Sequence, residues 1–88
     1  MSETSPFLRE AIMAVVDNQL RQNDPPETRE TLQRLLSEGH TERDAKRLIG
    51  TAVVAEIFDV LKLRHEFDCD RFVVALRRLP ELPSEDEQ

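Results

Sequence analysis

Tryptophan and tyrosine are absent from this chain of 88 residues, which has only two glycines and one cysteine. A lone Cys69 excludes an intramolecular disulfide and every zinc pattern built on paired cysteines. Two glycines, Gly39 and Gly50, exclude a glycine-rich phosphate loop. No apolar run is long enough to span a bilayer, and the opening MSETSPFLRE lacks the basic-then-apolar pattern of a signal peptide. No strand-like alternation, internal repeat or low-complexity segment occurs. A basic excess is missing too: the net charge is −6, whereas phosphate backbones reward dense basic clusters. These absences lead us to expect a soluble cytoplasmic protein with no cofactor, no membrane partner and no nucleic-acid partner.

What is present is one apolar stretch, Leu48–Leu61, LIGTAVVAEIFDVL. On helical spacing Leu48, Ile49, Ala52, Val53, Ile57, Val60 and Leu61 form one wide face, with Val54 and Phe58 outside it. A helix apolar around this much of its circumference belongs inside a bundle or between two chains. Hydrophobic residues make up 39% of the chain and charged residues 34%, an ordinary composition for a folded domain. A chain this size buries roughly 60–65% of its unfolded surface, enough for a core without staples.

The chain reads as four helices. Ser5 and Pro6 open the first, over about 6–21, with Leu8, Ile12, Val15, Val16 and Leu20 at helical spacing. Asp24 is placed to cap the second, with Pro25 at its first position and Glu27 three residues on. This helix covers 25–37, turns Leu32, Leu35 and Leu36 inward, and pairs Glu30 with Arg34 on its outer face. Gly39 supplies a left-handed C-terminal residue. Thr41 caps the third helix, 42–63, in which Gly50 suits the close approach of a neighbour. Asp68 caps the fourth, 69–79, with Phe67 and Phe72 as a hydrophobic staple. Phe72, Ala75, Leu76 and Leu79 face inward, and Pro80 ends the helix. Short links between four helices predict an all-α, mostly antiparallel four-helix bundle, a single domain over 1–80. Residues 81–88 form an acidic tail expected to be disordered. Apart from the tail's four acids, fourteen acids stand against twelve bases, so the body is nearly balanced.

Candidate chemistry is sparse. Glu56 and Asp59 sit one turn apart, where carboxylates bind a hard metal or share a proton. The plainer expectation is a solvent-facing stripe or a pairing with arginine. His65, with Glu66 and Cys69 nearby, is a candidate for a metal site, and His40 lies in a turn. Cys69 begins the fourth helix, where the dipole favours a thiolate, although Asp68 and Asp70 oppose it. Helix 2, Gly39 and helix 3 match a helix-turn-helix loosely, with Arg43, Lys46 and Arg47 toward a groove. The same segment, LQRLLSEGHTERDAKRLI, resembles the first two helices of a ubiquitin-associated domain, but the apolar pattern runs on where a break should follow.

Four pieces carry a broader resemblance: Asn18-Gln19-Leu20, DPPETRETLQRLLSEGHT, GTAVVAEIFDVLK and FDCDRFVVALRRLP. With these the chain is similar, over about residues 5–80, to a family of small bacterial helical domains of unknown function. Relatives carry histidines on the first helix, at positions matching Ser5, Arg9 and Met13 here. Some are fused to a cysteine-rich zinc motif, which this chain lacks. The resemblance implies a bacterial cytosolic protein.

The reading that follows is a non-enzymatic protein-interaction or homodimerisation module, with Val54, Phe58 and Leu61 as its contact residues. One alternative is a metal-dependent or thiol enzyme using Glu56, Asp59, His65 and Cys69. A second is a nucleic-acid binder through Arg43, Lys46 and Arg47.

Overall fold

Capping chemistry places the helix ends nearly where the sequence puts them. In the computed structural model, which describes residues 6–82, the elements are α1 (Pro6–Gln22), α2 (Pro26–Ser37), α3 (Glu42–Leu63) and α4 (Cys69–Arg78). The expected Ser5 cap and most of the acidic tail, 83–88, lie outside the described residues. α1 closes on Asn23 at φ 53°, with the Asp24 N–H donating to the Gln19 carbonyl at 3.0 Å. α2 closes in the same way on Gly39 at φ 105°, with the His40 N–H donating to the Leu35 carbonyl at 3.1 Å. Both are Schellman endings, for which glycine and asparagine are the residues of choice. The Thr41 hydroxyl accepts from the Asp44 N–H at 3.1 Å, and the Asp68 carboxylate accepts from the Arg71 N–H at 3.2 Å. The staple also forms: the Phe67 and Phe72 rings meet edge-on, centroids 5.5 Å apart.

Two local expectations fail. Asp24 does not cap α2, and Pro25 is not its first residue. Pro25 is the N-cap, extended at φ −78° and ψ 155°, without a side-chain cap. The residue before a proline is pushed out of the helical region, so Pro26 holds Pro25 outside the helix. Nor does Arg34 pair with Glu30. It pairs with Glu38 at 3.0 Å and donates to the Leu76 carbonyl at 3.1 Å. Choosing the partner one turn later lets the same guanidinium reach α4 as well.

The core is shared by all four helices: Val16, Leu35, Ala45, Ile49, Ala52, Val53, Phe72, Leu76 and Leu79 are buried. Thr28 and Thr31 are buried on α2, and the Thr28 hydroxyl donates to Gln19 Oε1 at 2.9 Å. Leu36, expected inside, is exposed. Lys46 meets Asp17, and a Cβ on Gly50 would lie 3.2 Å from Ile12 Cγ2. Advancing along α3 therefore means retreating along α1, and the two are antiparallel. α2 then cannot run antiparallel to both neighbours, and the bundle is not a simple up-and-down one. Extents of 34 × 31 × 27 Å fit helices that cross rather than align. Gly50 serves the close approach expected of it.

Candidate functional site

Two features of α3 bear on function, and Glu56 divides them. Its side chain is 3% exposed, so it does not belong to a solvent-facing stripe. It is placed there because α4 returns across α3 after the link that follows Arg64. Glu56 Oε2 accepts from the Asp68 N–H at 2.9 Å, and Oε1 lies 3.4 Å from Arg71 Nε. Arg71 also donates to His65 Nε2 at 2.5 Å, and His65 Nδ1 donates to the Glu66 carbonyl at 2.6 Å. This pattern requires the neutral tautomer protonated at Nδ1. Sequence reasoning missed Arg71, the residue that joins Glu56 to His65. The signal available was its position three residues after the Asp68 cap, one turn in from the link.

The cluster borders an open depression of about 430 Å³ lined by His65, Phe67, Asp68, Cys69 and Arg71. Its groups are occupied by one another. Both Glu56 oxygens and both His65 nitrogens have partners, which leaves neither placed as a general base. Cys69 lines the same depression without a hydrogen bond to the cluster, and Asp59 is not among the lining residues. Among the described residues, no group of three or more His, Cys, Asp or Glu side chains is placed to hold a metal ion. The Cys69 thiol is pushed above its ordinary value by burial first and then by Glu27, Asp70, Asp24 and Asp68. Desolvation and the surrounding acids thus both disfavour the thiolate. What the cluster does is fasten the 64–68 link to α3 and satisfy an otherwise orphaned N–H at the start of α4.

Of the proposed groove-facing cations, Lys46 and Arg47 are paired, and Arg43 makes no ion pair among the described residues. Lys46 lies 3.0 Å from Asp17 and 3.5 Å from Glu42, and Arg47 lies 3.7 Å from Asp44. Asp17 and Glu42 hold the Lys46 ammonium above its usual range, the hydrogen bond to Asp17 being the largest cause. His40 is half-buried in the α2–α3 turn.

The second feature is the half of α3 beyond Glu56. Phe58 is 52% exposed and Leu61 69%, with Ile57 and Leu63 also exposed and Val54 half-buried. Ile57 and Leu61, read as one continuous inner face with Ile49 and Val53, thus leave the core. Length explains it. α3 is about 33 Å long, against about 18 Å for α2 and 15 Å for α4, at 1.5 Å per residue. The antiparallel register brings the first described residues of α1 level with about residue 56 of α3. No described helix is left to cover what lies beyond. Phe7, at 79%, and Leu8 are exposed at the neighbouring end of α1.

Among the described residues, no helix is long and apolar enough to cross a membrane. Comparison with known proteins finds no matching family model, no similar curated protein and no similar solved structure.

Proposed function

We propose that this protein is a non-enzymatic, cytoplasmic protein-interaction module that docks an apolar helix on the C-terminal half of α3. A place among small bacterial helical domains is part of the same proposal. One observation carries it. Val54, Ile57, Phe58 and Leu61 recur at spacings of three, one and three, and the last three are exposed. That is the pattern by which one helix packs on another. Contiguous exposed apolar surface on a small domain marks an interaction face. The enzymatic alternative has less support, because the polar groups nearest one another are consumed by mutual hydrogen bonds. The nucleic-acid alternative has less support because Lys46 and Arg47 are paired with acids of the same chain.

The test uses a fluorescein-labelled synthetic helix bearing leucines at the same spacing, titrated with protein at low ionic strength. The wild-type chain is expected to raise its anisotropy with a micromolar Kd, and Phe58→Arg to abolish the rise with circular dichroism unchanged. A wild-type chain that leaves the anisotropy flat overturns the reading.

A further inference from the structure

The link between α3 and α4, residues 64–68, is held by side chains at two points. At one, the Asp68 N–H donates to Glu56 Oε2 at 2.9 Å, and that carboxylate is buried. At the other, Arg71 donates to His65 Nε2 at 2.5 Å. The second tie needs a free lone pair on the imidazole, which a single proton removes. Nδ1 already donates to the Glu66 carbonyl at 2.6 Å. An incoming proton therefore goes to Nε2, the atom that faces the guanidinium. The imidazolium then presents an N–H to an N–H, and a cation to a cation. Turning the ring over brings no relief, because both nitrogens of an imidazolium are donors. Histidine is the side chain that gains its proton across the weakly acidic range. His65 is half-buried and Arg71 is exposed, so solvent reaches the bond.

The charges around His65 give an imidazolium somewhere else to go. Glu66, Asp68 and Asp70 line the same open depression. Glu27 of α2 and Asp24 of the α1–α2 turn act on the start of α4, where they help to raise the Cys69 thiol. On α3 stand Glu56, already engaged by Asp68 and Arg71, and Asp59 one turn further on. Among the cations, Arg71 touches the ring, and Lys62 and Arg64 precede it in the chain. A protonated His65 is thus repelled by Arg71 and attracted toward the acids of the depression. The exchange of partners lets the ring go from α4 and involves none of the core residues.

We infer that the 64–68 link is a pH-sensitive latch. It is closed while His65 is neutral and bonded to Arg71, and open once Nε2 takes a proton. Glu56 keeps hold of the Asp68 end in both states.

Nuclear magnetic resonance on the full chain tests the latch, at about pH 8 and about pH 5, the two sides of the histidine range. Backbone order parameters of residues 65–67 are expected to fall from about 0.85 toward 0.6 on acidification, while those of Ile49 and Val53 stay high. The nitrogen spectrum of His65 is expected to show the Nδ1–H tautomer at the higher pH. His65→Gln carries an oxygen that can accept from Arg71 and does not titrate, so its link is expected to behave alike at both pH values. His65→Lys sets a permanent cation beside Arg71 and is expected to leave the link loose at both. Circular dichroism checks that each variant keeps its helices. The glutamine variant retains Glu56 and Asp68, and so separates the titration of His65 from that of the carboxylates. A wild-type link that keeps its order at both pH values overturns the inference. So does a glutamine variant that loosens with falling pH as wild type does, or an Nε2–H tautomer at the higher pH.

Discussion

The two halves of α3 are opposite in fate, although the second is the more apolar. From Ala45 to Val53 the apolar face is buried: Ala45, Ile49, Ala52 and Val53 lie in the core and Gly50 abuts α1. From Ile57 to Leu63 the helix is no less apolar, yet Ile57, Phe58, Leu61 and Leu63 face solvent. The difference lies in what runs alongside, since α2 and α4 are each about half its length. An apolar helical pattern therefore reports what a helix is able to bury. Whether it does so depends on the reach of its neighbours.

The sharpest way to break this comparison is to truncate one side chain in each half. Ile49→Ala is expected to cost about 2–5 kcal/mol in urea unfolding. Leu61→Ala, measured at a concentration low enough to keep the chain monomeric, is expected to cost under about 0.5 kcal/mol. Equal losses would mean that both halves share one core. At the boundary, Glu56→Ala strands the Asp68 N–H and the Arg71 guanidinium, and about 2–3 kcal/mol is expected to be lost. Glu56→Gln keeps an acceptor for that N–H and is expected to lose less. If the two variants unfold together, the hydrogen bond to the link is not what matters.

Gly50→Val probes the crowded half, where even a Cβ comes within 3.2 Å of Ile12. Overpacking is expected to cost about 1–3 kcal/mol, while a bulky change at the exposed Leu61 is expected to leave the midpoint in place. At the far end, Arg64 holds φ 59° at the close of α3, a conformation that strains residues with a Cβ. Arg64→Gly is expected to gain about 0.5–1 kcal/mol, and a loss would show that the arginine side chain matters more than the backbone. The smallest effect concerns Lys46, which ties the buried half of α3 to Asp17 on α1. Its pKa is raised in the folded state, so its contribution is fully present below the ordinary value of 10.5 and is lost as pH rises through the folded value. Lys46→Met is expected to flatten stability against pH only in that alkaline window.

Local chemistry made most of the fold legible. Thr41, Asp68, Gly39 and the Phe67–Phe72 staple each act within about one helical turn, and each formed as its residue types dictate. Pro25 misled because two capping rules compete there, and the constraint that Pro26 imposes on its predecessor is the stronger. The candidate site was half legible. Val54 and Phe58 stand out as apolar residues beyond the inner face, whereas Leu61 reads as part of that face as well as a contact. Glu56 reads as a solvent-facing acid or an arginine's partner, and only the second holds. Its burial depends on Asp68 and Arg71, twelve and fifteen residues further on, and no periodicity within α3 records them.

Four helices, the caps of α3 and α4 and the apolar character of α3 follow from the sequence alone, because propensity, capping and patterning act between residues a few positions apart. Packing decided the rest: the antiparallel placement of α1 on α3, the oblique α2, the engagement of Glu56 with Arg71 and His65, and the bare end of α3. Those depend on helix lengths and crossing angles taken together, and on groups brought into contact from separate helices.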